Sequence, residues 1–140
     1  GIVLGNLASL VATRGRYDQG LRYAREAYAI HTEVENHTFA AFVLGTVGAC
    51  LLHLGELEEA EATLNESLEW MRSLGNERDV ALVSFELGTL AVKQGRDARP
   101  YLATIEAFIA SNSLAPDSHA GKQAAILRAA IAAAGQGGDG

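Results

Sequence analysis

Cysteine is almost missing from this chain: Cys50 is the only one among 140 residues. That excludes an internal disulfide and points to a reducing compartment, the cytoplasm. No apolar run reaches the roughly 18 residues of a membrane span. Nor does the start show a basic region followed by an apolar stretch and a cleavage site, so no membrane partner is expected. Lys and Arg vanish between Arg25 and Arg72, an interval that holds Glu26, Glu33, Glu35, Glu56, Glu58, Glu59, Glu61, Glu66 and Glu69. The net charge is −6, with the basic residues grouped at Arg14, Arg16, Arg22 and Arg25 and again at Lys93, Arg96 and Arg99. Phosphate neutralisation needs a concentrated basic face, so nucleic acid is not an expected partner either.

The residues of catalysis are also scarce. His31, His37, His53 and His119 show no metal spacing with Cys50 or with one another, and the pair Cys50 and His53 on one helix is too few ligands for a site. No Ser-His-Asp order, phosphate-binding glycine loop or HExxH motif is present. The chain reads as a non-enzyme, without catalytic residues, metal or cofactor.

What the sequence does hold is a repeat. Gly15, Gly55 and Gly95 are forty residues apart, and Gly135 falls on the same beat. Leu4-Gly5-Asn6-Leu7-Ala8 leads to Gly15-Arg16-Tyr17-Asp18, Leu44-Gly45-Thr46-Val47-Gly48 to Gly55-Glu56-Leu57-Glu58, and Glu86-Leu87-Gly88 to Gly95-Arg96-Asp97. A period of this length means a solenoid, in which each unit buries its apolar face only against its neighbours. The chain begins with Gly1, and Ile2-Val3-Leu4 already lies inside a repeat, so earlier repeats are expected to precede it.

Each unit reads as a helical hairpin. Phe39, Phe42, Val43, Val47, Leu51 and Leu54 recur at helical steps, Gly55 stops that helix, and Leu57, Ala60, Leu64, Leu68 and Met71 form the next. Leu74-Gly75-Asn76 supplies another stop, Asp79 is a plausible cap for the following helix, and Asn36 holds the place of Asn76 in the first unit. Pro100 is tolerable in the first turn of the third unit's second helix. After the Ala115-Pro116-Asp117 break, an alanine-rich helix is expected from about 118 to 134, and residues 135–140 read as a disordered tail. The expected fold is an all-α, right-handed α-α superhelix over residues 1–134. Its hairpins span about 1–36, 37–76 and 77–116, and the last helix caps the stack.

These residues resemble the tetratricopeptide repeat, in a longer form of about 40 residues. Repeats of this kind look like those of kinesin light chains and of bacterial multidomain signalling proteins. The resemblance places small residues where helices cross: Ala8, Gly48 and Gly88 on the first helices, and Gly20, Ala60, Pro100, Ala27, Ser67 and Ala107 on the second. At the corresponding place in the last helix stands Arg128, which suits a helix that ends the stack.

The resemblance also implies a concave groove lined by the first helix of each unit. Carried over, the groove positions are Ile2, Asn6 and Ser9, then Phe42, Thr46, Ala49 and His53, then Leu82, Phe85, Glu86, Thr89 and Lys93, with Lys122 and Ile126 from the last helix. Helical spacing leaves two roles open for Phe42 and Phe85, as groove wall or as packing between helices. The chaperone-tail carboxylate clamp known in the family needs Lys, Arg and Asn, and Gly5, Ser9, Thr46, Leu82 and Glu86 stand there instead. The acidic run Glu56 to Glu69 reads first as a solvated helix face and second as a dock for a basic partner.

The expected function is therefore protein interaction, with a peptide or helix held in the groove, within a larger regulatory protein. Two alternatives stay open. One is a self-assembly element that forms a homo-oligomer through an exposed first helix. The other is a sensory domain for a small ligand or signalling peptide.

Overall fold

The structure, a computed structural model, describes residues 17–33 and 37–138. Among them are six helices and no strand: α1 (Tyr17–Glu33), α2 (His37–His53), α3 (Leu57–Ser73), α4 (Glu77–Lys93), α5 (Arg99–Ser111) and α6 (His119–Gly138). The residues expected to form the first helix, with Asn6, Ser9 and Ala8, lie outside the described residues, as do Gly15 and Asn36. Among the described residues no helix is long and apolar enough to cross a membrane.

Two glycines of the forty-residue beat, Gly55 and Gly95, work as helix stops, as does Gly75 between them, whereas Gly135 lies inside the last helix. Gly55, Gly75 and Gly95 have φ of 84°, 71° and 70°, in the left-handed region. At each, two backbone bonds close the helix end in the same pattern. The Glu56 N–H donates to the Leu51 carbonyl at 2.9 Å, Asn76 to Met71 at 3.0 Å and Arg96 to Ala91 at 2.8 Å. The fourth stop uses a serine. Ser113 has φ of 51°, and the Leu114 N–H donates to the Ile109 carbonyl at 3.0 Å in the same arrangement.

The chain divides into two compact units, the first ending at Asn76 and the second beginning at Glu77. In the first, α2 packs against both α1 and α3. A Cβ added at Gly48 would lie 2.5 Å from Leu64 Cγ and 2.6 Å from its Cδ2, so glycine is what allows α3 to lie this close. Ala60 and Ala27 are fully buried and Gly20 is buried, in line with small residues at helix crossings. Ser67 is also buried, and its hydroxyl donates to the Ala41 carbonyl at 2.9 Å, tying α3 to α2. On the outer side, Tyr28 of α1 meets Trp70 of α3 edge-on at 6.5 Å. Arg25 pairs with Glu59 at 2.9 Å, an exposed pair of small energetic weight.

In the second unit α4, α5 and α6 all pack on one another. Their core is Ala91, Ala98, Ile105, Ala124 and Leu127, with Phe85, Val92, Tyr101, Leu102, Ile109 and Ile131 packed against it. Here Gly88 repeats the role of Gly48, because an added Cβ would lie 2.6 Å from Leu127 Cδ2 and 3.3 Å from Tyr101 Cβ. The Gly121 N–H donates to the Ser118 hydroxyl at 3.1 Å, capping α6 near its expected start. Arg128 is exposed and pairs with Glu106 of α5 at 2.9 Å. Lys122, Ala125, Ile126 and Ala129 also face solvent.

Several expectations need correction. Pro100 and Ala107 do not occupy buried crossings; both are exposed, and Ala98 and Ile105 are buried instead. The buried face of α5 follows α3 at thirty-eight residues, as Ala98 to Ala60, Leu102 to Leu64, Ile105 to Ser67 and Ile109 to Met71. The connection before α5 is longer, and Pro100, confined to the first turn, points outward there. Asp79 lies inside the first turn of α4 and is not its cap. The last helix continues to Gly138, past the expected end at 134, so residues 135–138 are helical and not tail. The alanines Ala132, Ala133 and Ala134 favour continuation.

Gly48→Ala tests the packing. Helix propensity alone would favour alanine by about 1 kcal/mol, whereas overpacking a filled site costs about 1–3 kcal/mol. Because Leu64 is fully buried, the clash should dominate, and urea unfolding should show a net loss of up to about 2 kcal/mol. An unchanged or raised midpoint would mean that α3 does not lie against Gly48.

Candidate functional site

One side of α2 and one side of α4 are less buried than the rest of each helix. From Ala40 to His53 every residue is buried except Phe42, Thr46, Ala49 and His53. These are spaced at three- and four-residue steps and so share one side of the helix. From Ala81 to Ala91 every residue is buried except Leu82, Phe85, Glu86 and Thr89, which again share one side. Val92 and Lys93 extend that stripe to the end of α4. Of the groove positions carried over from the resemblance, the eight that fall within these two stretches are the eight that are not buried; Lys93, Lys122 and Ile126, beyond them, are exposed. Asn6 and Ser9 lie outside the described residues.

The α2 stripe is mainly apolar. The Phe42 ring sits 5.6 Å from that of Phe39 at an angle of 46°. The Thr46 hydroxyl turns back to the Phe42 carbonyl at 3.4 Å. His53 is exposed and stacks on Tyr17 of α1, with ring centroids 4.3 Å apart and 13° between planes. Sequence reasoning missed Tyr17, because nothing local to residue 17 signals a partner at residue 53. Phe39 had a visible signal, lying one turn before Phe42.

On α4 the polar groups behave differently. The Thr89 hydroxyl donates to the Phe85 carbonyl at 2.9 Å and is thereby occupied. Phe85 is half-buried and packs on the core of its unit, which gives it a structural role as well as a place on the stripe. Among the described residues no hydrogen bond or ion pair holds the Glu86 carboxylate, and burial pushes its pKa up to about 7. At the far end of the unit's first turn connection, Asp97 shows the opposite case. The Arg99 side chain donates to it at 2.9 and 3.0 Å and the Arg99 N–H at 3.0 Å, holding its pKa down at about 2.

Two overlapping stretches of the chain, residues 1–73 and 39–99, match the family model described as Tetratricopeptide repeat. The chain belongs to the tetratricopeptide repeat family. Curated proteins, by contrast, give no match to it. Tetratricopeptide repeats generally mediate protein–protein interactions and typically serve as non-catalytic scaffolds. Among the described residues no group of three or more His, Cys, Asp or Glu is placed to hold a metal ion.

The buried carboxylate gives this tetratricopeptide chain a measurable pH signature. Glu86 has a folded pKa of about 7 against an ordinary value of 4.5. The fold therefore holds its proton more tightly than the unfolded chain does. That contribution to stability is complete below about pH 4.5 and is lost as the pH rises through about 7. Part of the side chain still meets solvent, so the effect is at most about 3 kcal/mol. Glu86→Gln should remove this component, and subtracting its stability–pH curve from that of the parent should leave a decline between those limits. A flat difference would show the carboxylate to be solvated.

Proposed function

We infer that this chain is a protein-interaction module that docks a peptide or helix against the more open side of a hairpin's first helix, that of α2 in the first unit or of α4 in the second, as the repeat portion of a larger regulatory protein. The observation that carries this reading is the burial pattern of those two helices. Everything in 40–53 and 81–91 is buried save Phe42, Thr46, Ala49, His53, Leu82, Phe85, Glu86 and Thr89. Such a stripe, apolar with interspersed polar groups, is what an amphipathic helix or an extended peptide with apolar anchors would cover. Family membership supports the interaction role in general. The particular surface is argued from burial.

Phe42 and Leu82 are the residues to change, because Phe85 also supports its unit's core. The double variant Phe42→Glu/Leu82→Glu should keep its helical circular dichroism and lose partners that the parent captures from native lysate. Truncating or charging a central anchor typically costs 2 kcal/mol or more, about thirtyfold in affinity. Identical captures by both proteins would move the binding surface to the acidic side of α3. Capture of nothing but further copies of the chain would make it an assembly element.

A further inference from the structure

Glu86 is the one stripe residue whose chemistry is unfinished. Its neighbours on the open side of α4 are Leu82, Phe85 and Thr89, two apolar groups and a hydroxyl already bonded to its own helix. The nearest cation along that side is Lys93, seven residues on and so about 10 Å away along the axis, beyond the reach of a direct pair. No other described residue supplies one, since no ion pair or hydrogen bond to Glu86 is formed. A carboxylate drawn partly out of water without a partner costs free energy, and the raised pKa reports that cost. A glutamine of the same shape would avoid it.

We propose that Glu86 is the specificity-determining acceptor of the α4 stripe, and that the docked segment carries a lysine or arginine about one helical turn from an apolar residue seated on Leu82. This deepens the proposed function and rests on it. The complementarity is of charge: the chain has a net charge of −6, and the stripe holds a carboxyl group with no cation of its own, which an incoming cation would hold ionised. An incoming cation would gain a charge-assisted hydrogen bond in a partly dry setting, and the acidic chain would speed its approach. A segment bearing a carboxylate at this point would instead face like-charge repulsion, which gives the surface discrimination as well as affinity.

The test uses the intact chain and a phage-displayed library of 12-residue peptides. Peptides that bind the parent but not Leu82→Glu are the ones engaged by the stripe. Among these, the proposal expects enrichment of Lys or Arg beside an apolar residue. For a synthetic peptide of that type, Glu86→Gln should weaken binding about tenfold or more. Replacing the peptide cation with norleucine should weaken binding to the parent by a similar factor, and should have no further effect on Glu86→Gln. Glu86→Asp, which keeps the charge, should retain the preference, and the helical signal of each variant confirms folding. Stripe-bound peptides without cation enrichment, or with equal affinity for parent and Glu86→Gln, would overturn the proposal and leave the proposed function standing. A library yielding no peptide sensitive to Leu82→Glu would overturn both.

Discussion

Leu64 lies so close to Gly48 that a single added carbon would sit 2.5 Å from its Cγ, and the hairpin of α2 and α3 is built around that approach. The second unit repeats the device with different partners, Leu127 and Tyr101 over Gly88. Close approach matters because each hairpin has few residues with which to make a core. Helices held apart by a Cβ would expose the fully buried Leu51, Leu52, Leu64 and Met71 to partial hydration. The left-handed glycines at 55, 75 and 95 complete the constraint by ending the helices where the chain must turn.

This packing has a consequence for function. When α2 is covered by α1 and α3, almost its whole circumference is used, and only one narrow side remains. α4 likewise keeps only one narrow less buried side. The open sides are consequently not arbitrary surface but the residue of a packing scheme, repeated once per hairpin. Their chemistry differs between repeats: aromatic and hydroxyl with a stacked histidine on α2, and leucine, phenylalanine and a desolvated carboxylate on α4. A repeated scaffold with unlike stripes is what permits one family to bind many partners.

Much of this was legible in the sequence, for a local reason. A helix stop is a property of one residue and its immediate neighbours, so Gly55, Gly75 and Gly95 could be read without tertiary knowledge. The positions on the less buried sides of α2 and α4 came from the family resemblance, which carries groove positions over residue by residue. The register of α5 was not legible, because a forty-residue count treats loop and helix residues alike. In the third unit the buried face falls two residues earlier than that count, at Ala98 and Ile105, exposing Pro100 and Ala107. Nor could spacing reveal the Tyr17–His53 stack, which joins residues far apart in the chain. The burial of Glu86 was equally hidden, since desolvation depends on surroundings that the helix pattern does not specify. In the sequence Glu86 was only one of the positions carried over to the groove.

The most direct test of the account is a map of amide chemical shifts in the isotopically labelled chain as a captured partner segment is titrated in. The account predicts that the largest changes fall on the α2 stripe, Phe42, Thr46, Ala49 and His53, or on the α4 stripe, Leu82, Phe85, Glu86 and Thr89. Changes confined to Glu58, Glu59, Glu66 and Glu69 of α3, with both stripes silent, would contradict it.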